Sequence, residues 1–260
     1  MTWAFKRKFL YLTIVLIFFI GLGYLIISPY FNQAPTCFDN QKNGTETGID
    51  CGGSCAKVCT ITVDQISLLW SRAFEIVPGR YNAVAYLENS NKNAAIIKIK
   101  YRFRFADKNN IYIGKREGET YVPPSSKFAV FEPAIDVGNS VPVYTTFEFT
   151  ETPNWVTVDQ NRINQFKVLT SDLKLENEDT LPRFSATIKN SSLFQIPGIN
   201  VVVILYDQAG NAVSASSTYV DVLNGEESRQ ITFTWREGFP QKIFTEEVIP
   251  MFNIFDVKLR

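Results

Sequence analysis

Hydrophobic pattern divides this chain into an unbroken apolar run, a cysteine-rich stretch and a long alternating region. Phe9 to Ser28 (FLYLTIVLIFFIGLGYLIIS) is uncharged and almost wholly apolar. At ~1.5 Å rise per residue the run spans ~30 Å, the hydrocarbon thickness of a bilayer, and predicts a transmembrane helix. Beyond Cys59 a period of two takes over, in "ITVDQISLLW", "AVAYLE" and above all "IKIKYRFRF" (97–105). There Ile97, Ile99, Tyr101, Phe103 and Phe105 fall on one face and Lys98, Lys100, Arg102 and Arg104 on the other. Such alternation marks half-buried strands. Turn signals ("PGR", "NSNKN", "DKNN", "PPSS", "VGNS") recur at short intervals, as in an antiparallel sandwich or barrel.

The apolar run exceeds the ~7–15 residues of a signal-peptide core, and no good cleavage site follows it. The alternative is a signal peptide cut near Ala34. Lys6, Arg7 and Lys8 precede the run without an acidic partner, whereas Lys42 and Lys57 face Asp39, Glu46 and Asp50 behind it. The positive-inside rule then keeps the N-terminus cytoplasmic and exports residues 30–260. Trp3, Tyr24, Tyr30 and Phe31 suit interfacial belts. The expectation is a single-pass cell-membrane protein.

Removing those three basic residues from 26 leaves 23 against 26 acidic, a net charge of −3. Nucleic-acid binding normally shows a basic excess, so no nucleic-acid partner is expected. Histidine is absent, which removes the commonest general base and metal ligand.

All four cysteines lie in residues 37–59, spaced C-x13-C-x3-C-x3-C (Cys37, Cys51, Cys55, Cys59). A zinc site usually has two close pairs, and Cys37 has no near neighbour. An even count in a short, loop-rich, exported segment reads as two disulfides, with the pairing left open. Asp39, Asn43, Glu46 and Asp50, set among Gly44, Gly48, Gly52 and Gly53, are oxygen ligands of the kind calcium takes. The EF-hand spacing is missing, and the same residues are ordinary turn formers.

This stretch resembles a short cysteine-rich module of predicted bacterial and eukaryotic surface proteins, C-x-D-(x3)-N-G-x-E-T-(x2)-D-C-G-G-x-C. Cys37, Asp39, Asn43, Gly44, Glu46, Thr47, Asp50, Cys51, Gly52, Gly53 and Cys55 carry the match. Asn40 departs from it, since such modules tend to have glycine there. The resemblance implies a surface module, with a calcium role as one implication.

Residues 81–110 repeat as 184–211: Asn89 matches Asn190 and Asp107 matches Asp207, about a hundred residues apart. That period indicates two homologous domains rather than a solenoid of ~20–50-residue units. Each half resembles the FxLYD type of immunoglobulin-like domain. The second carries "VILYD" (Val203 to Asp207) and the first "FRFAD" (Phe103 to Asp107). The resemblance implies a seven-stranded fold without catalytic residues. The expected organisation is mainly β: cytoplasmic tip and anchor (1–36), cysteine module (37–60), and two tandem Ig-like antiparallel β-sandwiches (61–160, 161–260).

The basic face Lys98, Lys100, Arg102 and Arg104 is a candidate for an anionic ligand, against a solvated face balanced by neighbouring acids. Glu119 with Glu132, or Glu226 with Glu227, would be the carboxylate pairs of a glycosidase, but nothing fixes their separation. No phosphate loop or nucleophile elbow is present. Asn43 and Asn190 begin Asn-x-Ser/Thr sequons. Trp155 and Trp235 read as core, with "TPNWVTV" and "GFPQKIF" as alternative docking patches. These features point to a non-catalytic, membrane-anchored binding or scaffold protein of the cell envelope, without cofactor (calcium aside), whose partner is a protein or cell-wall polymer. The alternatives are an accessory subunit of a secretion or pilus-type assembly and an envelope hydrolase.

Overall fold

The computed structural model describes residues 3–31, 34–59 and 63–258, without the side chains of residues 4–6, 9 and 25–31. Its elements are α1 (Trp3–Phe31), β1 (Ser67–Val77), β2 (Arg80–Asn89), β3 (Ala94–Ala106), β4 (Tyr112–Val122), β5 (Ser126–Asp136), β6 (Tyr144–Phe149) and β7 (Trp155–Thr157). There follow α2 (Gln160–Gln165), β8 (Val168–Glu176), β9 (Arg183–Asn190), β10 (Ile196–Tyr206), β11 (Ala212–Leu223), β12 (Ser228–Thr234) and β13 (Thr245–Met251). Strands account for nearly half of the chain, which is mainly β as expected. The residues group into two units, Met1–Gly53 and Ser54–Arg260.

The localisation expectation is overturned. Among the described residues no helix is long and apolar enough to cross a membrane. The single-pass anchor over residues 9–28, and with it the N-in orientation and the export of residues 30–260, is therefore withdrawn. The side chains of Lys6, Phe9, Tyr30 and Phe31, invoked for the anchor, its orientation and the interfacial belts, lie outside the described residues.

In the second unit the strands form four antiparallel sheets, ordered β1-β2-β5, β4-β3-β6 (with β7 also on β3), β12-β9-β8 and β11-β10-β13. The second pair of sheets repeats the order of the first: β8, β9 and β12 stand where β1, β2 and β5 do, and β11, β10 and β13 where β4, β3 and β6 do. Ala83, Ala85, Leu87, Ile99, Phe103, Phe128 and Val130 fill the core between the first two sheets. Phe184, Ile188, Val201, Val203, Leu205 and Phe233 fill the core between the other two. In β3 the alternation is read correctly except at Ile97, which is exposed. A register shift between Ile96 and Ile99 adds a residue there, and one extra residue reverses the parity of the strand. "AVAYLE" in β2 is instead buried on both faces, and Ile61 and Thr62 of "ITVDQISLLW" lie outside the described residues.

The matched residues of the repeat fasten loops. Asn89 Nδ2 donates to the carbonyls of Ala94 and Pro123 at 2.8 Å, and its Oδ1 accepts from Asn91 N. Asn190 does the same with Phe194, Leu223 and Asn224, while its Oδ1 accepts from Ser192 N. Asp107 Oδ1 accepts from Asn109 N and Ile111 N, and Asp207 Oδ1 from Ala209 N and Asn211 N, closing the β3–β4 and β10–β11 hairpins. Asparagine and aspartate suit these corners because their short side chains satisfy backbone groups that a turn leaves unpaired.

A third core joins the halves. Phe74, Val84, Tyr86 and Ala129, on the outward face of β1-β2-β5, pack against Val202, Ile204, Ala212, Ala215 and Ile249 of β11-β10-β13. Strands β2 and β10 are thus buried on both faces over Ala83–Leu87 and Val201–Leu205. The contact is head to tail, because non-equivalent sheets meet. The equivalents of the docked positions are polar. The row Ser217–Val202–Ile249 in the interface corresponds to Glu117–Arg102–Glu148 in the first half. Val84 and Phe131 correspond to Ser185 and Thr232.

Ile204→Ala opens a void in the third core and should lower stability by about 2–4 kcal/mol in urea unfolding. The equivalent change on the exposed face, Arg104→Ala, removes a surface ion pair and should cost less than about 1 kcal/mol. Equal effects would show that the third core contributes no stability.

Candidate binding cleft

The cysteines form two disulfides, Cys37–Cys55 and Cys51–Cys59. No cysteine is free among the described residues, so these four offer no thiolate to zinc. The bridges interleave, which is the pairing the sequence left open. Linking residues 18 and 8 apart in so small a segment restricts the unfolded chain, a stabilisation of about 3 kcal/mol per bridge in loop-entropy terms.

The proposed calcium ligands face backbone amides of their own loop. Asp50 Oδ1 accepts from Asp39 N and Asn40 N at 3.0 and 3.1 Å. Glu46 Oε2 accepts from Asn43 N and Asp50 N. Asp39 Oδ2 accepts from Asn43 Nδ2 at 2.9 Å and from Thr36 N. The carboxylates thus take the place of regular secondary structure in a loop that lacks it. Asn40, the departure from the module pattern, has φ 57°, and asparagine tolerates this left-handed conformation better than other non-glycine residues. Gly53, at φ +60°, has no room for a side chain because a Cβ would overlap the Thr45 carbonyl.

Three of the four cations of the basic face pair with acids. Lys98 pairs with Glu119 at 2.5 Å, Arg102 with Glu117 at 2.6 Å, and Arg104 with Glu148 at 3.1 Å. The Lys100 backbone N–H donates to Glu151. Of the carboxylate pairs, Glu119 sits in the ion pair just described, whereas Glu132 is buried, accepting from Tyr101 Oη at 2.7 Å and Arg116 Nε at 2.9 Å. Gly118 leaves space for that bond, since a Cβ would touch both Tyr101 Oη and Glu132 Oε1. Glu226 occupies a turn at φ 61°, and Glu227 is engaged by Asn224 and Arg229. The two sequon asparagines have their amides bonded, and Asn190 is fully buried.

A concave site of about 570 Å³ lies where the halves meet. The end of β1 and the β1–β2 turn supply Phe74, Glu75, Ile76, Val77 and Pro78. The facing wall comes from β11 (Val213, Ser214, Ser216) and from the β12–β13 connection (Trp235, Arg236, Glu237, Phe239). Trp235 and Phe239 meet edge to face with centroids 5.2 Å apart, and the Trp235 indole N–H donates to Ser214 Oγ at 2.9 Å. Asn82 ties the floor together, donating to the Ala215 carbonyl and accepting from Ala134 N. Of the two aromatic stretches offered as docking patches, "TPNWVTV" places Trp155 in the core at 5% exposure, while Gly238, Phe239 and Pro240 of "GFPQKIF" line the cleft. The β1 and β11 residues of the cleft were missed. Only the docking of the two halves brings them to Trp235, and no local pattern announces it.

No family model matches the chain, and no curated protein matches it in sequence. Solved structures are similar only weakly. A red sea bream transglutaminase aligns at 8% identity and TM-score 0.24, over 72% of this chain and 31% of that one. A β-glucuronidase of glycoside hydrolase family 2 aligns at 10% identity and TM-score 0.24, over 85% and 29%. The calcium binding domain CBD12 of CALX1.1 aligns at 12% identity and TM-score 0.20, over 68% and 76%. This chain spans less than a third of either enzyme, and likenesses of this size carry no argument.

Alkylation of the native protein without reduction should add no mass, and four added groups would refute the disulfides. The cysteine loop should also respond to acid. Bonds first from Asn43 and then from Thr36 hold the Asp39 carboxyl below its ordinary value of 3.8. A depressed carboxyl contributes stability above its unfolded-state value and loses it as pH falls through the folded one. The Asn43 side-chain amide resonances should therefore stay constant from pH 7 to about 4 and shift only below 3.8. A transition above pH 5 would contradict the assignment.

Proposed function

We propose that this chain is a non-catalytic binding and scaffold protein. In this reading two tandem immunoglobulin-like sandwiches, about residues 61–160 and 161–260, form one stiff body, and the chain also carries a disulfide-bonded module. The observation that carries it is the third core. It fixes the halves in one arrangement, so surfaces contributed by both are held in constant register. The use of the buried Glu132 and the half-buried Glu247 supports the same view. Glu132 serves Tyr101 and Arg116, and Glu247 accepts from Tyr86 Oη at 2.6 Å and from Tyr206 Oη at 3.0 Å. Burial, and then the bond to Glu247, push the Tyr86 hydroxyl well above the usual tyrosine range, so it stays a donor at neutral pH. Groups committed in this way are structural fastenings, and the partner is a protein or polymer held by surface contact.

The purified chain should leave chromogenic glycosides, esters and peptide substrates intact while retaining a stoichiometric neighbour after crosslinking in its native source. Turnover that disappears on substitution of one carboxylate would overturn this reading. Disulfides persist where thiols are kept oxidised, so these assays need non-reducing buffer.

A further inference from the structure

We infer that the cleft between the halves binds a short oligosaccharide. The inference rests on the binding-protein reading above and gives it a site and a ligand class. At about 570 Å³ the cleft falls within the range of small-ligand sites and lies where such sites concentrate, at the meeting of two folded halves. Its chemistry is mixed in the way a sugar requires. Trp235 and Phe239 offer aromatic carbon for the C–H face of a pyranose, and Trp235 is held in place by its bond to Ser214. Around them stand Glu75, Arg236 and Glu237, all exposed at the rim, with Ser216 on the wall. Carboxylates and a guanidinium provide the paired acceptors and donors that match vicinal hydroxyls.

A proline-rich peptide is the competing occupant of an aromatic-lined groove. Its recognition draws on donors that reach the peptide carbonyls. Here the indole N–H is already given to Ser214 Oγ and the Asn82 amide to the Ala215 carbonyl. What remains at the rim is charged and suits hydroxyl groups better than an apolar peptide. Neither wall alone forms the site, so the oligosaccharide bridges the two halves.

The test titrates the full-length protein with cellohexaose, chitohexaose, xylohexaose and decaproline. The Trp235 indole N–H resonance, assigned by its loss in Trp235→Phe, is followed, and the sugars are checked for cleavage. At least one oligosaccharide should shift that resonance saturably. Arg236→Ala or Glu237→Ala should weaken binding about fivefold or more, the loss of one rim hydrogen bond, while Arg104→Ala on the far face leaves it unchanged. Both rim residues are exposed, so these variants should fold normally. No shift with any sugar, a shift indifferent to both rim variants, or a response to decaproline alone would overturn the inference. Binding accompanied by cleavage would support the ligand class and overturn the non-catalytic reading instead.

Discussion

Two strands, β2 and β10, are buried on both faces, and the arrangement of the second unit depends on that fact. A strand in a two-layer sandwich normally keeps one face for water, which is why its sequence alternates. Here the outward positions Val84, Tyr86, Val202 and Ile204 are apolar as well, and their burial against each other joins what would otherwise be separate sandwiches. Full burial of a valine or isoleucine side chain is worth about 1.5–3 kcal/mol, so a few such residues outweigh the loss of freedom between two tethered bodies. Polar fastenings fix the orientation. Tyr86 reaches Glu247, Arg72 the Ala212 carbonyl, and Asn82 the Ala215 carbonyl.

Because the contact is head to tail, it would propagate if its unused faces were equally apolar, as heterologous contacts do when they fail to close. They are not. At the equivalent positions one terminal face carries the Glu117–Arg102–Glu148 ion pairs. The other carries Ser185, Thr187, Gln230 and Thr232. Ion pairs of this sort add little stability. Their consequence is that neither face offers the apolar surface on which the third core is built.

Much of the β organisation was legible because it is local. Period-two alternation located β3, turn residues separated the strands, and the Asn89/Asn190 and Asp107/Asp207 matches marked corners that the two halves share. The oxidised cysteines followed from an even count in a short loop. What failed was whatever depends on partners distant in sequence. The exposure of Ile97 comes from a register shift that alternation cannot register. The amide bonds of Asp39, Glu46 and Asp50 were likewise out of reach, since only the folded loop defines where those amides lie. The membrane span was inferred from unbroken hydrophobicity across residues 9–28, whereas among the described residues no helix is long and apolar enough to cross a membrane.

The choice of docking face was nonetheless present in the sequence, in the differences between the repeats rather than in either repeat alone. Aligned on Asp107 and Asp207, the outward residues of β3 are Lys100, Arg102 and Arg104, and those of β10 are Asn200, Val202 and Ile204. Within a duplicated sandwich, an outward position that is charged in one copy and branched-aliphatic in the other identifies the copy that is covered. The same logic places the cleft. It lies beside the contact and draws one wall from each half, so a ligand there binds only the docked arrangement. By mass action such a ligand also stabilises the third core, which couples occupancy of the cleft to cohesion of the halves.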